Sequence, residues 1–136
     1  MVRLAVLALF LLTAACVAGA VDGTSTDRTA TNLFNSDPRL GPAADTVCFT
    51  GNLNGFYELT DRALVVRRTI GKAYLVRTGH CPNLRSIEGL DFESGDRCLQ
   101  RGDRIAVYDT PFPRADAHID RPDRCTVLSI HEWREE

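Results

Sequence analysis

Four cysteines downstream of residue 45 restrict the fold of this chain more than any other feature of its sequence. They are Cys48, Cys81, Cys98 and Cys125, whereas the fifth cysteine of the 136-residue chain, Cys16, lies in an apolar N-terminal segment. An even set of cysteines in an exported chain predicts two disulfides. No two of them have the C-x-x-C spacing, so the pattern indicates neither a zinc ribbon nor a thioredoxin-type redox pair. Four cysteines allow three connectivities. We favour Cys81–Cys98, which closes a local loop, with Cys48–Cys125, which joins the first strand to the last.

The first twenty residues predict export. Arg3 is followed by an uninterrupted apolar run over residues 4–12 and then by small residues, which is the layout of a secretory signal peptide. The run is shorter than a membrane-spanning helix. Cleavage after Ala20 would release residues 1–20 as the signal peptide. Alternatively, the sequence LTAAC resembles a bacterial lipobox that would attach a lipid to Cys16, although Thr13 stands where the lipobox has leucine.

Either cleavage places the mature protein in the periplasm, on the outer membrane through a lipid anchor, or, as an alternative, in the medium. Removal of the leader takes away Arg3 and no acidic residue, so 15 basic residues remain against 18 acidic ones and the net charge changes from −2 to −3. This balance gives no electrostatic reason to expect nucleic-acid binding, or membrane binding other than through the anchor.

Residues 21–45 are predicted to form a flexible tether, because the segment is mostly small and polar and has no helical or strand period. Leu33 and Phe34 are the exception in this segment, and we expect this pair to be exposed rather than docked on the domain.

Residues 46–136 predict one disulfide-bonded, all-β domain, a small antiparallel barrel or sandwich of about 6–7 short strands, because short apolar runs alternate with turn sequences. The clearest element is a hairpin over residues 62–78, in which RALVVRR and AYLVRT flank the turn TIGK. The last predicted strand covers residues 125–133. Simple alternation would place His131 and Trp133 on its Cys125 face, and a tryptophan there is more often buried than a ligand-stacking ring.

The tripeptide Arg101-Gly102-Asp103 matches the sequence that integrins recognise. Here it predicts a turn between two strands, because glycine accepts positive φ and an aspartate carboxylate can bind neighbouring backbone N–H groups. The flanking Cys98 and Ile105 leave no long exposed loop for adhesion.

Catalytic and metal-binding patterns are weak throughout the chain, so we predict no catalytic residue, metal or cofactor. His80-Cys81 could pair a base with a thiol, but a disulfide accounts for the cysteine. The acids of DFESGD (91–96) do not fit a calcium loop and predict a turn. Asp116, His118 and Asp120, with Asp123 nearby, could hold a divalent cation if the segment is extended, although a polar loop has the same composition.

Several elements resemble a family of small exported, often lipid-anchored proteins of Gram-negative bacteria that carries a domain of unknown function. They are Cys48, RALVV, YLV, CPNL (81–84), CLQRGD (98–103) before RIAVY, and CTVLSI, which together span about residues 45–132. The resemblance implies an all-β disulfide-bonded domain behind a leader and supplies no activity.

These observations predict a monomeric, non-catalytic cell-envelope domain that binds another envelope protein, with the loop 110–124 as a candidate contact. The alternative is a secreted hydrolase or metal-binding protein that uses the Asp/His loop 116–123. A secreted, inhibitor-like module is a third hypothesis.

Overall fold

The computed structural model describes residues 32–49, 53–111 and 121–136. This part of the chain is nearly all β, with two disulfides, and the predicted fold class is confirmed. No helix in the described ranges is long and apolar enough to span a membrane. The strands are β1 Leu40–Ala43, β2 Thr46–Cys48, β3 Phe56–Thr60, β4 Ala63–Thr69, β5 Lys72–Thr78, β6 Gly89–Phe92, β7 Cys98–Gln100, β8 Arg104–Tyr108 and β9 Asp123–Trp133, with a 3₁₀ helix over Pro82–Ser86.

The main sheet curls into a half-barrel, which decides between the barrel and the sandwich left open by the sequence. Its antiparallel strands follow the order β3-β4-β5-β9-β8-β6, and β2 pairs with β7 in a separate two-stranded sheet. The long strand β9 pairs with β5 on one side. On its other side it pairs first with β8 and then with β1, at Leu40↔Trp133 and Ala43↔His131.

A β-bulge in β9 places its last side chains on a different face from the one that simple alternation predicts. Arg77 pairs with Ser129, but the next residue of β5, Thr78, pairs with Val127, so Leu128 is an extra residue in β9. One extra residue reverses the alternation of faces. Cys125 and Val127 therefore face the main core, whereas Trp133 packs in a second apolar cluster. Trp133 is buried, as predicted.

The β4–β5 hairpin is apolar on both faces because it separates two clusters of buried side chains. Leu64 and Val66 of β4 face the main core inside the half-barrel, and Ala63 and Val65 face the second cluster on the outside. The predicted hairpin over 62–78 is confirmed. The second cluster contains Ala63, Val65, Ala73, Leu75 and Trp133, with Phe34, Leu40, Tyr57 and Leu59 partly buried against it.

An N-terminal strap, residues 32–43, covers this second cluster. Phe34 meets the Trp133 ring edge-on at a centroid distance of 6.0 Å, and the Arg39 guanidinium lies 4.6 Å from the Trp133 ring centroid. The expectation that Phe34 is exposed, and the domain start at residue 46, are therefore wrong. An outer sheet face that carries Val65 and Trp133 needs a cover, and local composition does not show this need. Residues 1–20, Cys16 and the tether up to residue 31 lie outside the described residues.

The two predicted disulfides are present, but the favoured pairing is wrong. Cys48 of β2 bonds to Cys98, its direct partner in β7, and Cys81 bonds to Cys125 of β9. Because Thr78 at the end of β5 pairs with Val127, the chain beyond β5 passes beside Cys125. Strand neighbours, not distances along the sequence, therefore decide which cysteines meet.

The Arg101-Gly102-Asp103 segment forms a turn between β7 and β8, as predicted. Gly102 has a φ of +92°, in the region that favours glycine. The Asp103 carboxylate accepts a hydrogen bond from the Gln100 N–H at 2.9 Å, and the Gly102 N–H donates to the Val127 carbonyl at 2.9 Å. The tripeptide is thus bound back onto β9.

Candidate binding groove

The two ends of the curled sheet border a surface cavity of about 380 Å³, which we call the groove. The half-barrel runs from β3 to β6, and residues from both of these strands line the cavity. The lining residues are Phe49, Leu53, Phe56, Leu90, Asp91, Phe92 and Arg97. The groove therefore lies where a closed barrel would place its remaining strands.

Aromatic rings form the apolar wall of the groove. Phe49 is 3% exposed and stacks on Phe92, with a centroid distance of 5.0 Å and an interplanar angle of 28°. Leu53, Leu90 and Phe92 are only partly buried and pack against the main core. The groove is thus a place where the main core continues to the surface, and it can take up an apolar side chain.

Two exposed charges of opposite sign, Asp91 and Arg97, stand at the rim of the groove. Arg97 has a φ of 56°, and its carbonyl accepts a hydrogen bond from the Phe49 N–H at 2.9 Å. The loop that precedes Arg97 is also fixed by a hydrogen bond, because the Ser94 hydroxyl donates to the Cys98 carbonyl at 2.6 Å. Asp91 makes no ion pair with any residue that the structure describes.

The edge strands beside the groove have backbone groups that can accept a further strand. Within the described ranges, β6 pairs with β8 alone and β3 pairs with β4 alone. Free edges are sites for strand addition, and natural proteins restrict such addition with short strands and charged side chains. Both edges follow this rule: Asp91 is exposed in β6 and Glu58 in β3.

A separate group of polar side chains, outside the groove, holds the strap against the sheet. Arg77 is 2% exposed, and its Nη2 donates to the Asn35 side-chain oxygen at 2.9 Å. Nε2 of His131 lies 3.4 Å from Arg77 Nη1, and its Nδ1 lies 3.4 Å from the Gly41 carbonyl. Since arginine can only donate, Nε2 accepts and Nδ1 carries the proton. Burial, then the Arg77 charge, holds the pKa of His131 below its ordinary value.

Among the residues that the structure describes, the other candidates from the sequence do not come together as a catalytic centre. Cys81 is fully buried in its disulfide, and the exposed His80 lies 3.4 Å from Asp61. Asp123 accepts a hydrogen bond from the Asn83 N–H at 2.7 Å. Asp116, His118 and Asp120 lie outside the described residues. Within the described ranges, no three His, Cys, Asp or Glu side chains cluster as metal ligands do.

Sequence reasoning missed the groove. Its wall joins Phe49, directly after β2, to Phe92, the last residue of β6. Single apolar residues at strand ends are common in any β domain. Only a prediction of the strand order could have brought these two rings together.

The fold and the groove define a class: a small all-β domain with two disulfides and a half-barrel, whose two edge strands are unpaired on their outer sides among the described residues and border an aromatic cavity. The chain belongs to a family of unknown function, DUF6491, whose model matches residues 1–136. No curated protein and no solved structure matches the chain. The resemblance to a family of unknown function is confirmed, while its exported, Gram-negative origin stays a prediction.

Proposed function

We propose that this protein is an exported, non-catalytic binding domain that takes up an extended segment of a partner protein in the groove. One observation carries the proposal: the groove, with its stacked Phe49 and Phe92, lies directly at the edge of β6 that no described strand pairs with. An edge strand offers backbone hydrogen bonds, and an adjacent apolar cavity selects a side chain. Domains that bind peptides by strand addition combine these two features.

The charge at the edge indicates the chemistry of the partner segment. In a strand paired with β6, side chains alternate between the two faces. One set would face the groove and its aromatic wall, and the other would lie on the side of the exposed Asp91. An opposite charge across a strand pair stabilises it and a like charge destabilises it. The partner segment should therefore carry a bulky apolar residue next to a lysine or arginine.

Export of the domain is supported by its covalent chemistry and its predicted leader. Two disulfides are consistent with an extracellular or periplasmic protein. The predicted leader, by signal-peptide or lipobox cleavage, would deliver the domain to the same compartments. The competing hydrolase hypothesis depends on the loop 116–123, of which the structure describes residues 121–123.

A peptide selection tests the proposal without a known partner. The mature, oxidised chain is used to select from a phage-displayed library of random peptides, and the affinities of the selected peptides are measured by fluorescence anisotropy. We expect extended peptides with a bulky apolar residue beside a basic one. Asp91→Lys should weaken their binding at least about tenfold, and Phe92→Ala should weaken it as well.

Glu58→Lys is the matched control, because it makes the same charge reversal on the other edge strand. We expect it to leave the affinity within about twofold of the wild type. The proposal fails if no peptide is enriched, or if the selected peptides bind the Asp91→Lys and Phe92→Ala variants as tightly as the wild type.

A further inference from the structure

The two disulfides differ in their access to solvent. Cys81 is 0% and Cys125 is 2% exposed, and both belong to the main core. Cys48 and Cys98 are both partly exposed, at the end of the two-stranded sheet. Thiol–disulfide exchange needs access of an attacking thiolate to a sulfur atom, and exposed disulfides are the more readily reduced ones. The Cys48–Cys98 bond is therefore the more accessible target.

The Cys48–Cys98 bond is also directly connected to the groove. Phe49 follows Cys48 and Arg97 precedes Cys98, and both of these neighbours line the groove. The Phe49 N–H donates to the Arg97 carbonyl at 2.9 Å. The ladder between β2 and β7 has three residue pairs, and the cysteine pair is the one next to the groove. The disulfide thus fixes the position of the aromatic wall.

We propose that the Cys48–Cys98 disulfide is a redox control of the groove. The biological consequence of this control rests on the proposed function. A dithiol reductant, such as a thiol–disulfide oxidoreductase of the same compartment, attacks one sulfur as a thiolate and forms a mixed disulfide. Its second thiol then resolves this intermediate. The protein gains two electrons and two protons as two cysteine thiols, and the reductant leaves as a disulfide.

Reduction loosens one wall of the groove and leaves the main core covalently closed. Without the bond, Phe49 is held by backbone hydrogen bonds of a short ladder, by its contact with Phe92 and by its packing in the main core, with no covalent restraint on the ladder. Cys81–Cys125 continues to hold the segment that follows β5 to β9. A groove with a mobile wall binds an extended segment more weakly, because ordering the wall opposes binding. The oxidised form is therefore the binding form.

Selective reduction is measured first, on the wild-type chain under native conditions. The protein is equilibrated with increasing dithiothreitol, free thiols are alkylated with iodoacetamide, and the modified cysteines are identified by peptide mass spectrometry. We expect Cys48 and Cys98 to be alkylated at a reductant concentration at least about tenfold lower than Cys81 and Cys125. Reduction of both disulfides at the same concentration, or of the buried one first, overturns the proposal.

The effect on the groove is measured by NMR of the aromatic rings, with phenylalanine labelled and the partner omitted. On selective reduction the signals of Phe49 and Phe92 should broaden or shift, while that of Phe34, in the strap on the outer face of the sheet, should not. A Cys48→Ser, Cys98→Ser double variant should show the same spectrum as the reduced protein. Unchanged Phe49 and Phe92 signals in the reduced protein overturn the proposal.

The experiments distinguish a failure of this inference from a failure of the proposed function. Selective reduction with altered ring signals, but no peptide bound by the oxidised protein, contradicts the proposed function and leaves the redox control standing. Selected peptides that bind the oxidised and the selectively reduced protein equally contradict the redox control and leave the binding function standing.

Discussion

The contact between Phe34 and Trp133 provides a quantitative test of whether the strap belongs to the folded unit. Trp133 is 3% exposed, and Phe34 is the aromatic residue of the strap that touches it. We consider Phe34→Ala, Trp133→Ala and the double variant. If the strap folds with the domain, the two substitutions remove one shared contact, so their effects on the free energy of unfolding are not additive.

The expected changes in the free energy of unfolding follow from the burial of the two side chains. Truncation of a fully buried tryptophan costs about 3–5 kcal/mol, and we expect this for Trp133→Ala. Phe34 is only partly buried, so we expect about half of the cost of a core phenylalanine, about 1.5–2.5 kcal/mol. An edge-to-face aromatic pair contributes about 0.5–1.5 kcal/mol beyond area burial. The double variant should therefore be more stable than the sum of the single effects by about 1 kcal/mol.

Urea unfolding followed by far-UV circular dichroism measures these energies, since Trp133 is the only tryptophan. If Trp133→Ala does not fold, Trp133→Phe replaces it. Its expected cost is about 1 kcal/mol, from lost volume, because Trp133 Nε1 has no hydrogen-bond partner among the described residues. Ile70→Ala is the control: Ile70 is 95% exposed, and the change should stay within about 0.5 kcal/mol. A Phe34→Ala effect as small as this control would refute the assignment of the strap to the domain.

Three further predictions concern pH, the tripeptide turn and the disulfides. Folding lowers the pKa of His131, so the unfolded chain is protonated first as the pH falls. The free energy of unfolding should therefore decrease as the pH drops through the ordinary histidine pKa of about 6.5. Urea titrations should show a smaller fall in His131→Gln. Gly102→Ala should cost about 1 kcal/mol at its φ of +92°, and a wild-type melting temperature would contradict this strain. Loop entropy alone assigns about 4 kcal/mol to each disulfide, from sequence separations of 50 and 44. Replacing the buried pair, Cys81 and Cys125, by alanine should cost more than replacing the Cys48–Cys98 pair, because it also leaves a cavity; equal costs in urea titrations would contradict the role of burial.

Local features of the sequence were sufficient for several parts of the fold. The β4–β5 hairpin could be predicted because two apolar runs flank a tight glycine turn at Gly71, which has a φ of 78°. The turn at Gly102 and Asp103 could be predicted because both the glycine backbone and the aspartate carboxylate act on their own neighbours. The number of disulfides followed from a count of cysteines. None of these predictions needs the position of a distant strand.

Tertiary structure alone decided the disulfide pairing, the extent of the domain and the groove. Cys48 meets Cys98 because β2 pairs with β7, and Phe34 packs on the domain because the outer face of the hairpin and Trp133 require a cover. The bulge at Leu128 reverses the faces of β9, since side chains alternate with a period of two and one extra residue moves all later ones to the other side. Local interactions act between residues that are neighbours along the chain, so they can be inferred from the order of the residues. Contacts between distant strands depend on the arrangement of the whole sheet, because burial free energy belongs to the assembled core and not to any single segment.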